Sequence, residues 1–410
     1  MSLVLNTNIA SLTAQNNLTR STSALSTATQ DLSSGLKINS AADNAAGYAI
    51  ASRFQTQIGG LGQASTNASD AINLAQTAGS ALSQITSNLQ SIRDLAVQSA
   101  NGTYQASDRS AINTSVQQYL SEITRIANQT TFNGTNVLNG STSSLSFQIG
   151  ANVGQAINVQ LGQGATTSQV GQISEVSTAN ISGAFVNASG VSGQSISLSG
   201  LSIEGADGTV VSLSGASASN AQGVADAINA AGVAGVSAAV NASGGINIYS
   251  TGELAVSGSA LTGAAGTAFN FTSNAVAYGA SGAGSSASGF AATGASYTDG
   301  SVITASGSLT GGDVLTVDDA NNLISRVDAA LTQVSTFQST LGAVQNRFQS
   351  TIATVSAQQT NLTASQSSIQ DTDFAATTAQ LSKSQVLQQA GISVLATANA
   401  QPQQILKLLG

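Results

Sequence analysis

A chain of 410 residues with no histidine, no cysteine and no tryptophan cannot build a Ser-His-Asp or Cys-His nucleophile, a disulfide framework or the usual His/Cys zinc site. Charged residues make up 7% of it, against about 25% in an ordinary soluble domain. The net charge of −8, with ten scattered Lys and Arg, offers no basic surface for nucleic acid.

What remains is mostly Ala, Ser, Thr, Asn, Gln and Gly. Such a skin is hydrated but weakly repulsive, so copies of the chain can approach one another. A secreted protein with a neutral surface is the alternative reading. No run of 18 apolar residues predicts a membrane-spanning helix. Met1–Asn6 lacks a basic region and a sustained apolar core, so a cleaved Sec-type signal is not expected.

Residues 1–32 read as an amphipathic helix. Leu5 and Leu12 are seven apart, and Leu18, Leu25 and Leu32 repeat that spacing after a one-residue slip. Gly35 is the expected C-cap. Residues 36–57 read as a connector with short helical stretches. A helix is predicted from near Ile58, carrying Ile72, Leu82, Ile85, Leu89, Ile92 and Leu95, and ending at Asn101-Gly102. A third run, about 105–129, carries Ile112, Val116, Leu120, Ile123 and Ile126.

The period then switches to two. Leu145, Phe147 and Ile149 alternate with polar residues, as do Ile157, Val159 and Leu161, which predicts a hairpin. From about 170 to 305 the chain is rich in Ser, Gly and Ala. Short β patterns lie at 196–201, 211–213, 236–240 and 246–248, and a helix is predicted at about 219–231. Residues 275–300, densest in Gly and Ser, read as low-complexity sequence.

The last hundred residues carry the strongest pattern. Val327, Val334, Leu341, Phe348, Val355, Leu362 and Ile369 form an unbroken seven-residue seam, which asks for a partner helix. Thr316 with Asp319 resembles a capping box opening a helix that runs to about 363. A last helix is predicted at about 373–400, with Leu387 and Val394 on one face. Asp371 and Asp373 are paired carboxylates, but their i, i+2 spacing does not share a helix face; they read as N-capping charge. Gly311-Gly312 lacks the phosphate-loop pattern.

The fold class predicted is α+β: a long antiparallel helical bundle or coiled coil built from both termini, with a β-hairpin and an inserted β-rich outer domain. The apolar strips at the two ends are too narrow to fill a core alone, so these ends are expected to order on assembly with other copies; a frayed intramolecular coiled coil is the alternative.

Several long motifs, in order, resemble the bacterial flagellins: LSSGLKINSAADNAAGYAIASRF (32–54), IRDLAVQSANGT (92–103), TTFNGTNVLNG (130–140), LGAVQNRFQSTI (341–352) and residues 367–410. Residues 223–250 resemble a repeat of flagellin and hook outer domains. The resemblance covers about 1–165 and 310–410. It implies a subunit of the extracellular flagellar filament, exported without a cleaved signal and used for swimming. A hook–filament junction protein, or a secreted adhesin or surface-layer protein, is the alternative.

It further implies three parts. Residues 1–40 and 372–410 would form a terminal coiled coil lining an inner tube. Residues 41–170 and 305–371 would form the bundle and hairpin of the wall, and 171–304 a variable outer domain. The expected partners are copies of the chain, cap and hook-junction proteins, an export chaperone and the export apparatus; no nucleic acid, membrane insertion, cofactor or enzymatic activity is expected.

The candidate self-assembly residues are Leu5, Leu12, Leu18, Leu25, Leu32, Arg93, Gln98, Arg347, Leu387, Val394, Leu406 and Leu409, with Phe348 fixing packing beside Arg347. Arg93 and Leu95 mark a possible patch for the vertebrate innate flagellin receptor. Ser91 and Ser115 stand where that patch usually has an Arg and a Glu. Tyr48 replaces a usual Gln or aliphatic residue, and Gly410 stands where Arg or Gln is common.

Overall fold

The computed structural model describes residues 8–186, 192–258, 302–303 and 307–409, with backbone alone for 401–409 and for the short strands at 261–262, 268–269, 275–278 and 295–296. Leu5, Gly410 and most of the 275–300 stretch lie outside the described residues. Leu406 and Leu409 are described only as helical backbone.

Contacts divide the chain into two compact units, Met1–Ser69 with Gln148–Ala156 and Ser350–Gly410, and Asp70–Phe147 with Ile157–Gln349. Two helices run through both: α2 below and the long C-terminal helix.

In the first unit, α1 spans Ile9–Ser34. The side chain of Asn8 caps it by accepting from the Ser11 amide at 3.1 Å, and Gly35 closes it in the left-handed conformation at φ 72°. The connector is shorter than its sequence suggests, because α2 spans Ala45–Ser99 and starts well before Ile58. Asn44 Oδ1 accepts from the Gly47 amide at 2.9 Å and so opens the helix. Asp43 orders the turn before it, accepting from the Asn39 and Ser40 amides. These bonds, the one from Ser40 foremost, hold the Asp43 carboxyl below the usual carboxylate range.

The early turns of α2 bury small residues, Gly47 and Ala51. That is why no stripe of large apolar residues announces them. Gly47 is needed for space: a Cβ there would lie 2.6 Å from Ile38 Cδ1, and Ile38 is buried.

In the second unit, α3 spans Ala106–Gln129 and buries Ile112, Val116, Leu120 and Ile123. Leu82, Ile85, Leu89 and Ile92 of α2 are fully buried. Two two-residue strands follow, β1 (Thr131–Phe132) and β2 (Thr135–Asn136). The expected hairpin is β3 (Ser144–Gln148) with β4 (Ala156–Gln160).

Next come β5 (Ser174–Thr178), β6 (Ile196–Ser197), β7 (Ser202–Glu204), β8 (Val210–Ser212) and β9 (Ser217–Ala218). The helix α4 (Ala221–Ala230) leads to β10 (Val236–Val240), β11 (Ile246–Ser250), β12 (Ala255–Ser257), β13 (Leu261–Thr262), β14 (Ala268–Phe269), β15 (Ala275–Tyr278) and β16 (Ala295–Ser296). The main sheet has the order β10-β11-β5-β15-β16 and is antiparallel throughout. Val176, Ile246, Ile248, Leu198, Leu201 and Ile228 lie in its core.

The helix α5 then spans Val317–Gln370, about 80 Å at 1.5 Å per residue. Its capping box forms: the Asp319 amide donates to Thr316 Oγ1 at 3.1 Å, and the Thr316 amide to Asp319 Oδ2 at 3.1 Å. Val327, Val334, Leu341, Phe348 and Val355 of the heptad seam are buried; Leu362 and Ile369 are half-buried. Phe147 meets Phe348 edge to face, with centroids 5.8 Å apart. The last helix, α6, spans Phe374–Leu409, beyond the expected end near 400. Asp373 caps it, with Oδ1 accepting from the Ala375 and Ala376 amides at 2.9 and 3.1 Å. Asp371 does not cap; its backbone bridges to Leu36.

Removing the fully buried Phe348 ring leaves a cavity. Phe348→Ala is expected to cost about 3–5 kcal/mol, read as a lower urea midpoint for the helical far-UV signal, with Gln349→Ala as an exposed control that moves it little. At Gly391 of α6 a Cβ would meet Leu18 Cδ1 at 3.3 Å. Gly391→Leu is therefore expected to cost about 1–3 kcal/mol by overpacking, seen as lost amide protection around Leu18. Gly391→Ala should be tolerated, because the flexible end of Leu18 can give way.

Candidate interaction surface

The antiparallel pair of α1 and α6 is the part of the molecule whose side chains do not account for one another. Asn8 Nδ2 donates to the Ala398 carbonyl at 2.8 Å at one end. Ser21 Oγ donates to the Ser384 carbonyl at 3.0 Å in the middle. The Lys37 amide donates to the Gln370 carbonyl at 2.8 Å just beyond the other end. These bonds fix the direction and register of the pair.

The buried residues between them are small. Ala14, Ser21 and Ala28 are buried on α1, and Ser384 and Ala398 on α6, each set repeating at seven or a multiple of it. Gly391 completes the second series, half-buried against Leu18. A hydroxyl can reach a backbone carbonyl across two helices only where such side chains let the backbones come close; many Cα pairs of α1 and α6 lie within 8 Å.

Large apolar side chains are consequently left outside. Ile9 is 65% exposed, Leu12 54%, Phe374 64%, Leu387 50%, Ile392 55% and Val394 56%. At 100° per residue, Leu387 and Val394 lie on one flank of the α6 seam and Phe374 and Ile392 on the other. Leu12 lies on the side of α1 away from α6. The one-residue slip between Leu12 and Leu18 marks this change of face: Leu18, Leu25 and Leu32 are half-buried beside the seam.

The other candidates sit on the long helices of the second unit. Arg93 Nε donates to Asp328 Oδ1 at 2.6 Å and its Nη2 to Oδ2 at 3.3 Å, a two-pronged pair joining α2 to α5. These bonds, and then the Asp328 charge, raise the Arg93 pKa above its already high value. Gln98 Nε2 donates to the Tyr104 hydroxyl at 3.0 Å. Arg347 is exposed and Leu95 half-buried, whereas Phe348 belongs to the core. Tyr48 is 42% exposed near the start of α2.

The structure thus brings Leu18, Leu25 and Leu32 to one seam, sets Leu12, Leu387 and Val394 outside it, and places Arg93 in an intramolecular ion pair. A search for large apolar residues misses Ala14, Ser21, Ala28, Ser384, Gly391 and Ala398. The signal that could have found them is the same seven-residue spacing carried by small residues. Among the described residues, no helix is long and apolar enough to cross a membrane, and no group of three or more His, Cys, Asp or Glu could hold a metal ion.

Comparison with known proteins accounts for the whole chain. The bacterial flagellin N-terminal helical region matches residues 5–143, and the bacterial flagellin C-terminal helical region matches 324–409. The B-type flagellin of Pseudomonas aeruginosa is 36% identical, with all of both chains covered. A structure of FliC from Burkholderia pseudomallei is 27% identical, covering 68% of this chain and 99% of that one at a TM-score of 0.37. The flagellar junction protein FlgL from Legionella pneumophila is a weaker match in sequence, 13% identical, covering 79% of this chain and 100% of that one at a TM-score of 0.38. With two terminal helical regions matched in order and more than a third of its residues shared with a flagellin along its full length, the chain belongs to the bacterial flagellin family, the structural subunits of the extracellular flagellar filament.

Proposed function

We propose that this flagellin polymerises through the apolar residues that the α1–α6 seam leaves outside. The observation that carries the reading is the exposure of Leu12, Leu387 and Val394 beside a seam closed by Ala, Ser and Gly. A half-exposed Leu or Val forfeits roughly 1 kcal/mol of burial. Several such residues per subunit make neighbouring copies the natural cover, and Leu5, Leu406 and Leu409 extend the strip by sequence. Arg93, Gln98 and Arg347 set the geometry of the bundle that carries contacts between subunits.

The three-part division follows the same logic. Residues 1–40 and 372–410 form the inner coiled coil, and its boundary is supported by the Leu36–Asp371 bridge and the Thr372 amide donating to the Gly35 carbonyl at 3.0 Å. Residues 41–170 and 305–371 form the wall, and 171–304 the outer domain. Cap and hook-junction proteins, an export chaperone and the export apparatus are the further partners. The chain acts as a structural subunit and not as an enzyme: with neither histidine nor cysteine it lacks the usual general base and thiol nucleophile.

Val394→Asp places a charge on the exposed strip. Purified variant should fail to form filaments by negative-stain microscopy after salt-driven assembly, while residues 60–350 stay folded by amide protection. Normal filaments from it would sink the reading. For the receptor patch, Arg93 is engaged by Asp328, Leu95 is half-buried, and Ser91 and Ser115 carry no charge. Dissociated monomer is expected to activate the vertebrate innate flagellin receptor weakly; full potency in a reporter assay would refute this.

A further inference from the structure

Where α5 begins, one face of it is polar and lies against the outer sheet. Asp318, Asn322 and Ser325 follow at steps of four and three. Asp318 Oδ2 accepts from the Ala242 amide at 2.7 Å, in the turn between β10 and β11. Asn322 Nδ2 donates to Glu175 Oε2 at 2.8 Å, on the central strand β5. The Ser325 hydroxyl lies 3.3 Å from that of Ser237 on β10. One turn further, Ala329 packs with Ile173 and Tyr249 in a small apolar cluster. The Asp318 and Asn322 contacts border a cavity of about 370 Å³, lined also by Asp313, Asp319 and Arg326.

The charges of this cluster do not balance. Glu175 and Arg326 are 4% and 5% exposed. Facing Glu175 are Arg326, Asp318 and Asp319 from α5, Asp313 from the loop before it and Tyr249 from β11. Fully ionised, the group would hold four carboxylates to one guanidinium. We propose that this cluster is a pH-sensitive clasp, which holds the sheet on α5 while Glu175 keeps its proton and loosens when that proton leaves.

Burial, opposed by the Arg326 charge and the Asn322 bond, pushes Glu175 up from 4.5 to about 8. Burial also raises Asp318, and burial with the Asp319 charge raises Asp313. Burial lowers Arg326 to about 10, against the pull of Glu175, so it remains the cluster's cation through neutral pH. For a carboxyl raised on folding, the proton is bound more tightly by the folded state. Its contribution to stability is full below the unfolded value of 4.5, falls above it, and is gone once pH has risen through about 8. The clasp is therefore firm in acid and weak in mild alkali.

The chain holds four glutamates, Glu122, Glu175, Glu204 and Glu253, so selective carboxyl labelling of the full-length monomer gives four resonances. One should titrate near 8, assigned to Glu175 by eliminating the other three with Gln substitutions, which is independent of how a Glu175 variant folds. In parallel, amide exchange corrected for its intrinsic pH dependence is followed in β5, β10 and β11. Between pH 6 and pH 9 protection should drop by at least about tenfold, the effect of one unit of pKa difference, while α3 stays protected. Glu175→Gln, which keeps the size and the hydrogen-bonding edge without the charge, should abolish that drop. A Glu175 resonance titrating in the ordinary carboxylate range overturns the proposal, and so does an equal loss of protection in Glu175→Gln.

Discussion

The seam between α1 and α6 closes because its buried positions hold almost nothing. Ala14, Ser21 and Ala28 are buried on α1 and Ser384 and Ala398 on α6, with Gly391 half-buried, and such side chains let the Ser21 hydroxyl reach the Ser384 carbonyl on the other helix. Close approach gives good dispersion contact and fixes register, but it removes little apolar area from water. At roughly 0.8 kcal/mol per buried methylene, a seam of methyls and hydroxyls supplies far less than one of leucines. The same choice turns Leu12, Phe374, Leu387, Ile392 and Val394 outward. A pair built this way is well specified and weakly held on its own, and the proposed assembly through its exposed residues would add the apolar burial that the seam lacks.

The scarcity of charge acts in the same direction. The exposed faces of α2 and α5 carry hydroxyls that donate back to the carbonyl four residues earlier: Thr77 to Asn73, Ser83 to Gly79, Ser87 to Ser83 and Ser91 to Ser87 on α2, and Thr332, Thr336 and Thr340 in succession on α5. Ser and Thr are mediocre helix formers, and back-bonding tends to bend helices. These helices are held instead by their buried stripes. The Arg93–Asp328 ion pair joins α2 to α5, while the Arg125–Glu122 pair lies within α3. Such surfaces neither repel a neighbour at long range nor need a matching charge on it, so shape and apolar cover decide what packs where.

Much of this was legible beforehand, for reasons that differ by element. The heptads from Val327 to Val355, the stripe on α3 and the alternation of the β3–β4 hairpin show in sequence because large apolar residues carry them. The Thr316–Asp319 capping box and the Gly35 cap show because few residue types can do those jobs. The early turns of α2 do not show, since Gly47 and Ala51 bury themselves without looking apolar. The strand β5 does not show either: Ser-Glu-Val-Ser-Thr puts a carboxyl at the centre of a sheet, a choice that becomes intelligible only beside Asn322 and Arg326. The seam side of α6 was missed because Leu387 and Val394 mark the flank left exposed, while the face that packs is marked by Ser384 and Ala398.

α5 joins these two ways of holding structure together within one helix. From Val327 onward, Val334, Leu341 and Phe348 are buried apolar residues whose loss would leave cavities. In the first turns, Asp318, Asn322 and Ser325 hold the sheet by hydrogen bonds whose strength depends on who carries a proton. An apolar interface tolerates only side chains of matching volume; a polar one tolerates changes of shape provided donors and acceptors still pair. That order runs along a single helix: hydrogen bonds to the sheet in its first turns, and apolar packing from Val327 onward.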